Sequence, residues 1–178
     1  MSELIVLILE KISSYNILNY FLPGSLLCII LKYFGIVNIL IGTDIENIFI
    51  CYFVGMVVSR IGSILIEGVL KKTKFLDFVP YDKFIEAEQK DVKGKVTILG
   101  GINNSFRSYT AVFFIVLMLK FFKHLHFINY SSTDCFQIFL LVALFILFVV
   151  SYKKQTDFVR KRVETLCQNN AAEVIEND

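Results

Sequence analysis

The chain alternates long apolar runs with short charged clusters, and this alternation predicts its elements. Cys135–Tyr152 holds 18 residues without a charge, close to the roughly 20 apolar residues that cross a bilayer as a helix. Ile12–Leu31 has none over 20 residues, but Pro23-Gly24 interrupts it. Proline fits the first turn of a helix and disfavours the interior, so a span is expected from about residue 23 to 40. Asp44 and Glu46 mark a polar turn before a second span over about 48–70. A third span covers about 108–122, its helix starting as early as Val96, and the fourth covers about 135–152. Leu4–Leu9, flanked by Glu3, Glu10 and Lys11, predicts an interfacial helix. It lacks the positive flank and small-residue cleavage site of a secretory signal.

The expected fold is therefore an all-α, single-domain membrane protein with four transmembrane helices. A cytoplasmic helical insertion at 71–107 and a cytoplasmic tail at 153–178 complete it. Pro80 begins a predicted helix over Tyr81–Lys93, in which Phe84, Ala87, Glu88 and Asp91 share a face. Gly94 ends it.

Composition agrees with this pattern. The chain has 178 residues, 56% hydrophobic and only 19% charged, against about 25% charged in soluble domains. The net charge of +2 creates no field for nucleic acid, and no direct reading of duplex DNA is expected. The positions of the charges set the orientation. Segment 71–107 carries eight Lys/Arg and the tail five, whereas Gly35–Glu46 has none. Basic loops stay in the cytoplasm, so both ends are expected there, in a bacterial inner membrane.

The second span carries the most informative residues. Gly55, Ser59 and Ser63 recur every four residues, with Gly62 beside them, and such stripes let helix backbones approach closely. Arg60 and Glu67 are seven apart and are expected to face the same way. Two readings stand. Either they line a pore or form a buried pair, because a mid-membrane arginine costs about 2.5–3.5 kcal/mol, or the span ends early and both reach the interface. Asn103 and Arg107 form a four-residue pair at the entry to the third span and could meet Glu67 or Asp91. Lys71, Lys72, Lys74, Lys90, Lys93 and Lys95 could bind an anionic ligand or a partner, or simply fix topology.

No catalytic motif is found, no cofactor or metal is expected, and the chain is not read as an enzyme. Cys28, Cys51, Cys135 and Cys167 have no metal-binding spacing. His124 and His126 lack a further firm ligand. Asn129-Tyr130-Ser131 matches a glycosylation acceptor by pattern alone.

Four stretches, Tyr15–Gly24 (YNILNYFLPG), Ser59–Glu67 (SRIGSILIE), Tyr81–Ala87 (YDKFIEA) and Asn103–Tyr109 (NNSFRSY), together resemble small four-span membrane proteins found beside nucleotide-signalling or nuclease genes in bacterial anti-phage systems. The resemblance implies a homo-oligomer that is either a pore-forming effector, such as an ion channel, or a membrane sensor holding a cytosolic partner. A nucleotide-type signal is one candidate trigger. The pore reading is the first expectation and the non-conducting anchor the second.

Overall fold

The computed structural model describes residues 14–126 and 132–176. The predicted interfacial helix at Leu4–Leu9 and the Asn129 acceptor lie outside the described residues. Within them every regular element is helical. We label them α1 (residues 14–33), α2 (Asp44–Lys72), α3 (Tyr81–Lys90), α4 (Lys95–His126) and α5 (Ser132–Glu176). Three helices are long and apolar enough to cross a membrane, the mark of a membrane protein: Asp44–Lys72, Lys95–Lys123 and Cys135–Gln168. Ile17–Tyr33 is apolar but shorter.

The first apolar run departs most from expectation. The helix does not start at Pro23 or run on to Leu40. It begins by Ser14, passes through Pro23 and ends at Tyr33, and residues 36–43 are not helical. Proline removes an amide donor and its ring crowds the preceding turn. That strain is absorbed just upstream, where Ile17–Phe21 opens into a wide π turn and the Leu22 amide donates to the Ile17 carbonyl. Side chains supply further bonds there. Asn19 Nδ2 donates to the Tyr15 carbonyl at 2.9 Å and Ser25 Oγ to the Phe21 carbonyl at 2.7 Å. Such local satisfaction is what permits proline inside an apolar helix.

α2 starts earlier than expected because Thr43 and Glu46 cap it, the Thr43 amide donating to the Glu46 carboxylate at 2.7 Å. A second π turn, Gly62–Ile66, sits inside α2. α4 begins at Lys95, next to the early start expected at Val96. α5 continues unbroken well past Tyr152.

α1, α2, α4 and α5 pack side by side, with α4 touching all three others. Their pairings give the directions. Gly24 of α1 meets Cys51 and Gly55 of α2, and Gly55 meets Tyr20, so α1 and α2 are antiparallel. α4 and α5 are antiparallel as well, since Lys120 Nζ donates to Gln137 Oε1 at one end and Thr156 Oγ1 to Asn103 Oδ1, at 3.0 Å, at the other. α1 and α4 run parallel. Asn104 Nδ2 donates to Tyr15 Oη at 3.2 Å, and Lys120 lies over the Phe34 ring. The bundle core includes Leu27, Val58, Val112, Val116 and Leu141. Its outside stays apolar, with Phe53, Phe139 and Ile146 more than half exposed.

A second core lies at the charged end. Ala87 of α3, Val96 of α4, and Val159 and Val163 of α5 are buried together. α3, the start of α4 and the end of α5 thus form a polar-coated platform continuous with the bundle. The Tyr81–Lys93 helix ends slightly early, at Lys90, but its predicted inner face is correct for Ala87 and Asp91.

Candidate functional site

The residues singled out in α2 and α4 meet where the bundle joins the platform. Glu67 Oε2 accepts from Arg107 Nη1 at 2.7 Å, and its other oxygen lies 3.2 Å from Lys71 Nζ. Both members of the Glu67–Arg107 pair are largely covered, their side chains 18% and 15% exposed. Tyr152 of α5 is 1% exposed and sits beside both charges. One turn on, Thr156 Oγ1 donates to Asn103 and to its own Tyr152 carbonyl, at 2.9 Å. Gln155 Nε2 donates to the Leu99 carbonyl at 3.2 Å. Ser105 Oγ donates to Asn19 Oδ1 at 3.2 Å, which extends the seam to α1.

Glycine makes this geometry possible. The Cα of Gly62 faces the Arg107 backbone so closely that a Cβ would lie 3.2 Å from the Arg107 carbonyl oxygen. The stripe read in the sequence therefore serves two interfaces. Gly55 faces α1, where an added Cβ would overlap the Tyr20 carbonyl and lie 3.0 Å from its Cα, while Gly62 faces α4. Ser59 is buried and Ser63 half-buried. The partner of Gly55 is Gly24, whose own Cβ would stand 2.6 Å from the Gly55 nitrogen. Sequence reading used Gly24 only as a helix breaker and missed this role. The small-residue spacing of α2 signalled a close approach but not which helix would make it.

Arg60 and Glu67 do not face the same way. Arg60 is exposed and Glu67 is turned inward. The wide turn at Gly62–Ile66 lies between them. A π turn inserts an extra residue and rotates everything beyond it, so seven-residue spacing no longer means one face. The expected meeting of Arg107 with Glu67 is present. Asp91, the other acid considered for it, is instead 3.3 Å from Arg162 Nη2 on α5.

Asp91 locks the platform. Its carboxylate accepts from the Val96 amide at 2.6 Å at the start of α4. That bond and then Arg162 hold the Asp91 carboxyl below its usual range. Arg160 of α5 pairs with Asp77 in the connector after α2. Thr97 Oγ1 donates to Glu88 at 2.8 Å.

The six lysines have separate roles. Lys71 serves Glu67 and lies over the Phe78 ring. Lys90 pairs with Glu86, whose carboxyl it pulls below the usual range. Lys72, Lys74 and Lys93 are exposed, and Lys95 lines a groove between α4 and α5.

A cleft of about 210 Å³ opens beside the pair, walled by Glu67, Phe78, Asn103, Arg107, Thr156 and Arg160. Its acid, Glu67, is engaged by both Arg107 and Lys71. Among the described residues no group of three or more His, Cys, Asp or Glu could hold a metal. The side chains of His124 and His126 lie outside the described residues. Buried Ser108 Oγ and Arg107 Nε have no hydrogen-bond partner among those residues. The pairs Glu67–Arg107, Asn103–Thr156 and Asn19–Ser105 each join one helix to another within the same chain. Compared with protein-family models, curated proteins and solved structures, the chain has no match in any of the three.

Proposed function

We propose that the chain is a four-span membrane anchor that holds its platform rigidly at the cytoplasmic face, where a partner docks, and that it does not conduct. The observation that carries this reading is the Glu67–Arg107 pair at 2.7 Å, closed within one chain. Asn103 is likewise engaged by Thr156. Three of the four residues read as candidate pore lining are therefore used for intramolecular packing. The fourth, Arg60, lies on an exposed face, where its long side chain can reach the interface.

Helix register supports four spans. Between Asn104 and Lys120, α4 rises about 24 Å, near the roughly 30 Å hydrocarbon thickness. α1 touches α4 at both limits, through Tyr15 to Asn104 and Phe34 to Lys120. From Tyr15 to Phe34 the rise is about 28 Å, so α1 spans the same slab. The lysine-rich platform then faces the cytoplasm by the charge rule, with both termini on that side. The four short stretches that resemble anti-phage membrane proteins suggest that setting, as a sensor component in the inner membrane.

The test is ion flux across proteoliposomes, read together with thermal stability, for the wild type and Glu67→Gln. This reading expects no flux from either, and a lower unfolding temperature for the variant. Wild-type flux that Glu67→Gln alters without loss of stability would establish a conducting role instead.

A further inference from the structure

We infer that the groove between the start of α4 and the extension of α5 docks an acidic, amphipathic helix of a cytosolic partner protein. The inference rests on the anchor reading and names the surface and chemistry of its partner. The groove holds about 450 Å³ and its lining includes Lys95, Ile98, Phe158, Lys161, Thr165 and Arg162, the last already paired with Asp91. Ile98 and Phe158 are 60% and 59% exposed. These two large apolar side chains stand free within one groove, together with Leu99, where a partner's apolar stripe could cover them. A second hollow of about 320 Å³ adjoins it across Phe158, lined by Lys153, Lys154 and Asp157 among others. The apolar strip is thus bordered by Lys95, Lys154 and Lys161, none of which is ion-paired among the described residues. Asp157 is the one acid lining either hollow.

Charge alone would also suit anionic lipid, but depth argues against it. The headgroup layer adds about 5–8 Å per leaflet beyond the hydrocarbon. Lys153 is the first charge on α5 after the apolar run. At about 1.5 Å per residue, Phe158 lies about 8 Å beyond it, Lys161 about 12 Å and Thr165 about 18 Å. Lys154 can reach headgroups, whereas the groove itself lies in the cytosol. From Lys154 to Thr165 it runs about 16 Å, the length of three helical turns. A helix with apolar residues on one stripe and Glu or Asp on either side matches both its length and its charge.

The test uses the full chain in nanodiscs of neutral lipid. The probe is a fluorescent helical peptide with leucines at i, i+4 and i+7 flanked by glutamates, and the control is a scrambled peptide of equal charge. The expected result is saturable binding of the patterned peptide alone. Phe158→Ala should weaken it about tenfold or more, as loss of a central aromatic anchor does, and Lys161→Glu should weaken it similarly. Both side chains are exposed, so each variant should keep the wild-type unfolding temperature. No saturable binding, equal binding by both peptides, or binding that either variant leaves at the wild-type level would overturn the inference. So would photo-crosslinks from position 158 that reach only lipid or only a second copy of the chain. If the peptide fails while Glu67→Gln still destabilises a non-conducting protein, the anchor reading stands and only this surface is wrong.

Discussion

Glu67 and Arg107 lie forty residues apart in sequence and are joined at 2.7 Å, each covered by the helices it connects. Breaking a buried pair by removing one partner costs up to about 3–5 kcal/mol. Here partial exposure and the nearby Lys71 reduce that figure. Glu67→Gln and Arg107→Gln should each lower the unfolding temperature in detergent. The double variant should be less destabilised than the sum of the two. Strictly additive losses in that cycle would mean the two side chains do not stabilise one another.

Gly24 and Gly55 meet where α1 crosses α2, with no room for a Cβ at either. In a bilayer, apolar packing gains little from expelling water, so backbone proximity and polar pairs hold helices together. Gly24→Ala and Gly55→Ala should therefore each cost about 1–3 kcal/mol or more through forced separation of α1 from α2. Gly68, also in α2, has nothing within 4 Å of the position a Cβ would take. Gly68→Ala should be neutral or stabilising by up to about 1 kcal/mol. Thermal unfolding of the three variants checks this, and equal effects at all three sites would contradict the packing account.

Asp91 makes platform stability depend on pH. Its carboxyl is held below the usual range by the Val96 amide and Arg162. A lowered folded value stabilises the charged form. The contribution is complete above the unfolded value of about 3.9 and is lost as pH falls through the folded value. Hydrogen exchange of α3 should show Asp91→Asn less protected than wild type from pH 5 to 8. The difference should shrink below about pH 4. A difference that persists unchanged at low pH would assign the effect to something other than the carboxylate charge.

Cysteine labelling reads the topology. Cys28 and Cys51 are buried, Cys135 is exposed and Cys167 half-buried on the α5 extension. In intact spheroplasts an impermeant maleimide should label Cys135. It should reach Cys167 only after the membrane is opened, and Cys28 and Cys51 only after unfolding. Labelling of Cys167 in intact cells would reverse the orientation.

Much of the fold was legible as pattern. The charge-free run Cys135–Tyr152 marks its helix locally, because helix formation in apolar surroundings depends on residues a few positions apart, whereas Asp44 and Glu46 read as a turn and the Thr43–Glu46 cap that starts α2 went unread. The face of Phe84, Ala87, Glu88 and Asp91 was legible for the same reason, and Ala87 and Asp91 are buried. What sequence did not reveal was set by irregular turns and by distant partners. Pro23 read as a start, since nothing in the sequence states that Ile17–Phe21 will open to accommodate it. The π turn at Gly62–Ile66 likewise broke the spacing argument for Arg60 and Glu67. Arg107 was placed within reach of Glu67 because both sit at the same end of antiparallel spans. Tyr152 and Gly24 were missed because an apolar tyrosine in a span and a glycine after a proline look alike whether or not another helix comes to meet them.

The central claim is that the intramembrane polar residues close within each copy instead of around an axis. Electron cryo-microscopy of the protein in nanodiscs tests it most directly. The account predicts Glu67 paired with Arg107 and Asn103 with Thr156 inside every copy, with no axial opening, whatever the number of copies. A ring of chains with Glu67, Asn103 or Arg107 turned toward a continuous central opening would contradict it and return the protein to the pore-forming reading.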